Sequence, residues 1–371
     1  MGTTGLHVVH DTGVPDMPAD YTTLILIHGY VWNSEIFSKL IPVVKAQGTR
    51  LLLVNRRDYP GSIPYTEEEL EVLPASASTA DGDHLSAIRL NLLSYMRARA
   101  REVYDFLEEL VHHDQVPPAN PKENTGGIVI AGWSFGSVWM LAVLAFASSF
   151  PTTDVYLSKY VRRVVCYDFS YVLMGYPPPE DPYNPLFDPG LGKEEKVVVF
   201  NRWVTGYFSH GHSIDALERR KPLDDPHPTI ENLTAEDLAT CVYPPPGELG
   251  GSDSRLLLSA IQYGIFAILR NNALYLGGSK EGLGRGNSES SEGAGDEWSN
   301  TELRFIWCEQ SVWEVACGIW RLRAELEDAK DRNAALREIR IVRVKKGNHF
   351  VHWDNPDWAY RALVGEEDIV Y

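Results

Sequence analysis

Six short apolar runs, several of them separated by helical stretches, constrain the fold of this chain more than any other feature. They lie at residues 24–27, 51–54, 128–131 and 161–167, and again at 303–307 and 339–344. They read as continuous rather than alternating runs, which suits strands buried on both faces. Residues 86–111 carry apolar side chains at helical spacing, among them Ile88, Leu92, Met96, Val103, Phe106 and Leu110. Residues 139–150 and 312–331 also read as helices. Strand alternating with helix predicts parallel strands joined by crossover helices on both faces of a sheet.

From about residue 171 to 300 the rhythm stops. Pro177-Pro178-Pro179, Asp181-Pro182, Asn184-Pro185 and Asp188-Pro189 break the chain at its entry. Helical pieces follow at 194–208, after Thr234, and at 254–276. Residues 277–297 are rich in Gly, Ser and Glu and predict a mobile loop. The expected organisation is a core over 1–170 and 301–371 with a mainly helical cap inserted over 171–300. No internal repeat is present.

A length of 371 residues with 44% apolar and 23% charged side chains allows one enlarged domain with a sizeable core. The net charge of -17 repels phosphate backbones, and no basic stripe offsets it, so nucleic acid is not an expected partner. Residues 1–18 lack a basic stretch followed by an apolar one, and no run is long enough for a membrane span. Met1-Gly2 opens like an acylation site, but Leu6 stands where Ser or Thr is needed. A soluble, cytoplasmic protein acting on a small molecule is the expectation; the sequence says nothing of oligomeric state. Cys166, Cys241, Cys308 and Cys317 show no metal-ligand spacing and read as buried thiols.

Chemistry concentrates at Gly132-Trp133-Ser134-Phe135-Gly136, a G-x-S-x-G sequence directly after a strand pattern and before a helical one. A tight strand-to-helix turn would lift the Ser134 hydroxyl above the sheet edge. It would also leave the Phe135 N–H poised to stabilise an oxyanion. His28-Gly29 follows the first strong strand, and the loop there is expected to give the second N–H, from Tyr30 or failing that Val31. His28 itself reads as a support for that loop.

Gly347-Asn348-His349-Phe350 follows the last strand, in the chain order Ser, acid, His expected of such a site. His349 is the expected base, with His352 as fallback. The acid usually follows the strand at 303–307, but Ser311 stands at its usual position. Asp168, at the tip of the strand 161–167, is favoured, and Glu309 is the alternative. Aromatic and small residues near these positions (Gly29, Trp32, Trp133, Tyr171, Trp203 and Tyr207) are candidates for a substrate pocket.

With these residues assembled, the chain resembles the α/β-hydrolase superfamily over about 20–170 and 300–365. Asn55-Arg56-Arg57-Asp58-Tyr59-Pro60-Gly61-Ser62 looks like the loop after its second core strand, and Gly347-Asn348-His349-Phe350 like its His loop. The resemblance implies an α/β fold with a mostly parallel central sheet and flanking helices, and leaves the cap unaccounted for. It implies a serine hydrolase cleaving an ester or lactone of a small, largely apolar substrate through an acyl-enzyme, with no cofactor or metal. Epoxide hydrolases and dehalogenases of this superfamily use an Asp nucleophile, against which Ser134 argues. Zearalenone-type lactonases are similar in placing the acid at the tip that Asp168 occupies. Superfamily membership does not fix the reaction. A non-hydrolytic binding protein, or a lyase or acyltransferase on the same scaffold, is the alternative.

Overall fold

The computed structural model describes residues 4–74, 82–276, 297–366 and 368–369. Seven strands form one sheet: β1 (His7–Asp11), β2 (Thr23–Ile27), β3 (Arg50–Asn55), β4 (Ile128–Trp133), β5 (Val161–Tyr167), β6 (Glu302–Cys308) and β7 (Ile339–Val344). Their spatial order is β1-β3-β2-β4-β5-β6-β7, parallel throughout except for β1 against β3. The α-helices, in chain order, are α1 (Leu40–Ala46), α2 (Glu67–Glu71), α3 (Gly82–His113), α4 (Ser137–Phe146), α5 (Lys193–Val204) and α6 (Ala235–Cys241). They continue with α7 (Ser252–Tyr263), α8 (Ile265–Leu274), α9 (Trp313–Asp331), α10 (Val351–Asp354) and α11 (Pro356–Val364).

The six expected strands are all present. β1 is the addition, and its half-buried Val8-Val9 pair sits between exposed His7 and half-buried His10 at the sheet edge. An edge strand buries little apolar surface, so it leaves a weak sequence signal. The central strands are buried on both faces, and alternate residues feed two cores. Ile25, Ile27, Ile130 and Val164 join α3, α4 and α9 on one side. Leu24, Leu26, Val129 and Val165 join α1 and α11 on the other. Helix α4 lies under the first of these cores with all ten residues buried, which is why its sequence is apolar all round.

The inserted stretch gives no strand to the sheet among its described residues. The single helix expected over 254–276 is two, because Gly264 adopts φ +69°, a left-handed conformation that ends α7 and lets α8 start in a new direction. α8 packs on α4, and α7 touches α3. The last part of the expected cap therefore serves as a flanking layer of the core. The helix expected over 139–150 stops at Phe146 and continues as one 3-10 turn. The loop expected at 277–297 falls, but for its last residue, outside the described residues. All four cysteines are buried free thiols. No helix among the described residues is long and apolar enough to cross a membrane.

Candidate active site

The chain passes from β2 outward to β3, then returns across β2 to β4. The C-terminal ends of β2 and β4 thus flank the point where strand order reverses, the place where open α/β sheets form a crevice. Ser134 follows β4 directly, with φ +51°. The turn leaves no room for side chains on either side of it. A Cβ on Gly132 would stand 2.2 Å from the Gly136 carbonyl oxygen, and one on Gly136 would stand 2.5 Å from that of His28. Ser137 Oγ closes the turn by donating to Gly132 O at 2.7 Å.

His349 follows β7 and lies against this turn. Its ring is 4.9 Å from the ring of Trp133, whose indole N–H donates to His349 O at 3.1 Å. His349 Nδ1 is 2.6 Å from Asp168 Oδ2. Against an ionised carboxylate Nδ1 is the donor, which leaves Nε2 unprotonated and able to act as a base. Asp168 is fully buried with φ +49° just after β5. Its carboxylate also accepts from Cys308 N–H at 2.6 Å and Ser311 Oγ at 2.7 Å.

The fold is that of the α/β-hydrolases. No protein-family model matches the chain, and no curated protein does. Among solved structures it is similar to an epoxide hydrolase from Vigna radiata (12% identity, TM-score 0.44, 96% of this chain and 92% of that one covered). It is likewise similar to epoxide hydrolase A from Mycobacterium thermoresistibile (14%, 0.44, 98% and 95%). A thermophilic esterase from Thermogutta terrifontis gives 11%, 0.42, 96% and 91%. Resemblances this distant say nothing about the reaction.

Within this α/β-hydrolase fold, the loop after β2 is held by a buried polar network. His28 is completely buried, and burial followed by the charge of Arg56 pushes its imidazole well below the usual range. The neutral ring accepts Arg56 N–H at Nε2 and meets Gly29 O at Nδ1, each at 3.0 Å. The Arg56 guanidinium donates to Gly29 O at 2.8 Å and grips both oxygens of Asp253, on α7, at 2.7 Å. Tyr59 Oη donates to Asp253 at 2.7 Å and accepts Val31 N–H at 3.0 Å. Val31 N–H, the fallback oxyanion donor, is thus engaged, whereas no hydrogen bond is recorded for Tyr30 N–H among the described residues. A Cβ on Gly29 would lie 3.1 Å from Ser134 Cβ, so this loop runs directly past the hydroxyl-bearing residue.

The structure does not bring Glu309 to His349. Its carboxylate faces Arg343, on β7, at 3.4 Å, whereas Ser311, two residues further on, donates to Asp168. His352 is packed among Phe37, Trp133 and Phe350, with Nδ1 3.3 Å from Tyr167 Oη. Burial, and then the nearby His349, push its imidazole well below the usual range. Of the expected pocket residues, Gly29 and Trp133 touch the site. Trp32 packs edge-on to Phe350, and Tyr171 packs on Trp313. Trp203 donates its indole N–H to Arg219 O at 2.7 Å, and Tyr207 donates to Asp354 at 2.6 Å. Three supporting residues escaped sequence reasoning. Asp253 sits nearly 200 positions from Arg56 with no local pattern. Asn348 donates to Thr205 O and Thr229 Oγ1 at 2.8 Å, tying the His loop to the insertion. Ser311 had one available signal, its standing where an acid is usual.

Proposed function

We propose that the chain is a serine hydrolase acting on an ester or lactone carbonyl. Ser134 Oγ attacks the carbonyl carbon, and His349 Nε2 takes its proton and returns it to the leaving oxygen. Asp168 holds the imidazole in the tautomer that leaves Nε2 basic. The N–H groups of Tyr30 and Phe135 receive the developing oxyanion, each worth roughly 3 kcal/mol in the transition state. Water activated by the same imidazole then releases the acyl-enzyme.

The observation that carries this reading is the 2.6 Å contact between His349 Nδ1 and Asp168 Oδ2, beside a serine held at φ +51° in a glycine-flanked turn. The test is labelling by a fluorophosphonate, compared among wild type, Ser134→Ala and His349→Ala. Labelling of wild type alone supports the reading, and hydrolysis of p-nitrophenyl esters and of lactones then separates the substrate classes. Absence of label on folded wild-type protein would favour the non-hydrolytic binding protein.

A further inference from the structure

The loop that carries the proposed oxyanion donor Tyr30 contains a backbone conformation that its sequence disfavours. Val31 has φ +58°. A β-branched side chain crowds its own backbone there, so such a residue persists only where its surroundings over-determine it. Two hydrogen bonds fix it. Its N–H donates to Tyr59 Oη at 3.0 Å, from the core side, and its carbonyl accepts Tyr243 N–H at 2.7 Å, from the insertion.

Tyr243 belongs to a strap, residues 240–247, that continues from the end of α6 and runs beside residues 30–33 in the opposite sense. Asn33 N–H donates to Cys241 O at 2.8 Å, and Asn33 Nδ2 donates to Thr240 O at 2.7 Å. Trp32 and Val242 form an antiparallel bridge. Tyr30 Oη donates to Gly247 O at 2.6 Å. Every residue from Tyr30 to Asn33 is thus tied to the strap. Pro244-Pro245-Pro246 restrict its backbone, and Pro245–Gly247 form a 3-10 turn. Gly247 permits the approach, because a Cβ there would stand 2.3 Å from Val31 Cγ1 and 2.9 Å from Tyr30 Cε1.

The Tyr30 N–H lies in one planar peptide with the Gly29 carbonyl, so the two point in opposite directions. Arg56 holds that carbonyl at 2.8 Å on one side. On the other side, the turn at Val31 sets how the chain leaves Tyr30. Relaxing Val31 to a negative φ would rotate this peptide relative to Ser134.

We propose that residues 243–247 of the insertion are a positioning element of the oxyanion hole. The Tyr243 N–H and Gly247 keep Val31 left-handed, and so keep the Tyr30 N–H aimed at the carbonyl oxygen of a substrate on Ser134. The inference rests on the serine-hydrolase reading above. An oxyanion donor acts mainly in the transition state, so disturbing the strap should slow the chemical step and leave substrate binding nearly unchanged.

Gly247→Ala in the full chain tests this. Its kcat on a p-nitrophenyl ester should fall between about tenfold and a hundredfold, with KM within about twofold of wild type. Tyr30→Phe keeps the ring and the N–H but loses the bond to Gly247, and its kcat should fall between about twofold and tenfold. Hydrogen exchange gives a readout apart from turnover. In Gly247→Ala the amides of Asn33 and Tyr243, which join loop and strap, should exchange at least about tenfold faster. The Thr229 amide, bonded to Thr205 O elsewhere in the insertion, should exchange as in wild type. An unchanged kcat in Gly247→Ala, a loss confined to KM, or unchanged exchange at Asn33 and Tyr243 would overturn the proposal. Should Gly247→Ala not fold, Tyr30→Phe decides, and a wild-type kcat in that variant would overturn it equally. Wild type that neither labels at Ser134 nor turns over any ester counts against the proposed reaction, and the exchange rates then decide whether the strap holds Val31.

Discussion

Asp168 Oδ2 accepts two hydrogen bonds, from the imidazole of His349 at 2.6 Å and from Ser311 Oγ at 2.7 Å. The carboxylate arrives from β5, and the residue at the more usual acid position, after β6, has become its donor. Asp168→Asn should lower kcat on a p-nitrophenyl ester by about 10⁴, because an amide favours the wrong tautomer of His349. Glu309→Gln should stay within about twofold of wild type, since its carboxylate faces Arg343 while the His349 imidazole is held by Asp168. Comparable losses in both variants would remove Asp168 from this role.

Ser311→Ala removes one of the hydrogen bonds that fix Asp168 while leaving the pairing with His349. A hydrogen bond to a charged group is worth about 1.5–3 kcal/mol, so kcat should fall between about tenfold and a hundredfold. Ser311→Thr keeps the hydroxyl and should restore most of the rate. A threonine variant as slow as the alanine one would point to packing instead.

Arg56 and Asp253 form an ion pair with side chains 1% and 3% exposed. Asp253→Ala strands a buried guanidinium and should destabilise the protein by about 3–5 kcal/mol in urea titrations. The double variant Arg56→Met with Asp253→Leu should recover much of that stability. It should still label slowly at Ser134, because Gly29 O has lost the Arg56 donor. A double variant labelling at the wild-type rate would mean that the pair serves folding alone.

Burial pushes the Glu314 carboxyl up from 4.5 to about 7, against one hydrogen bond from Asn184 at 3.1 Å. A raised acid favours the protonated folded state. Its penalty is absent below about pH 4.5, grows between 4.5 and 7, and is complete above that, reaching at most about 3 kcal/mol. Glu314→Gln should therefore gain stability over wild type at pH 8 and match it at pH 4. Equal differences at both values, measured by urea unfolding, would contradict this.

The sequence by itself determined the parallel sheet, through apolar runs long enough for a strand and, at 24–27, 51–54 and 128–131, too continuous for a surface. It also singled out Ser134 and His349, since a glycine-flanked turn between strand and helix and a loop after the last strand are local patterns. Asp168 could be ranked above Glu309 but not separated from it, because both sit at the ends of neighbouring strands and only side-chain direction distinguishes them. The 28–29 and 55–62 loops were legible as segments, but the joining of Arg56 and Tyr59 to Asp253 left no trace in the sequence. Its partners lie 197 and 194 positions apart, and tertiary packing alone decides which buried charge meets which. The break at Gly264 was equally hidden, since a helical pattern continues through it. Local periodicity encodes elements and their turns; long-range contacts set the orientation of the polar groups between them.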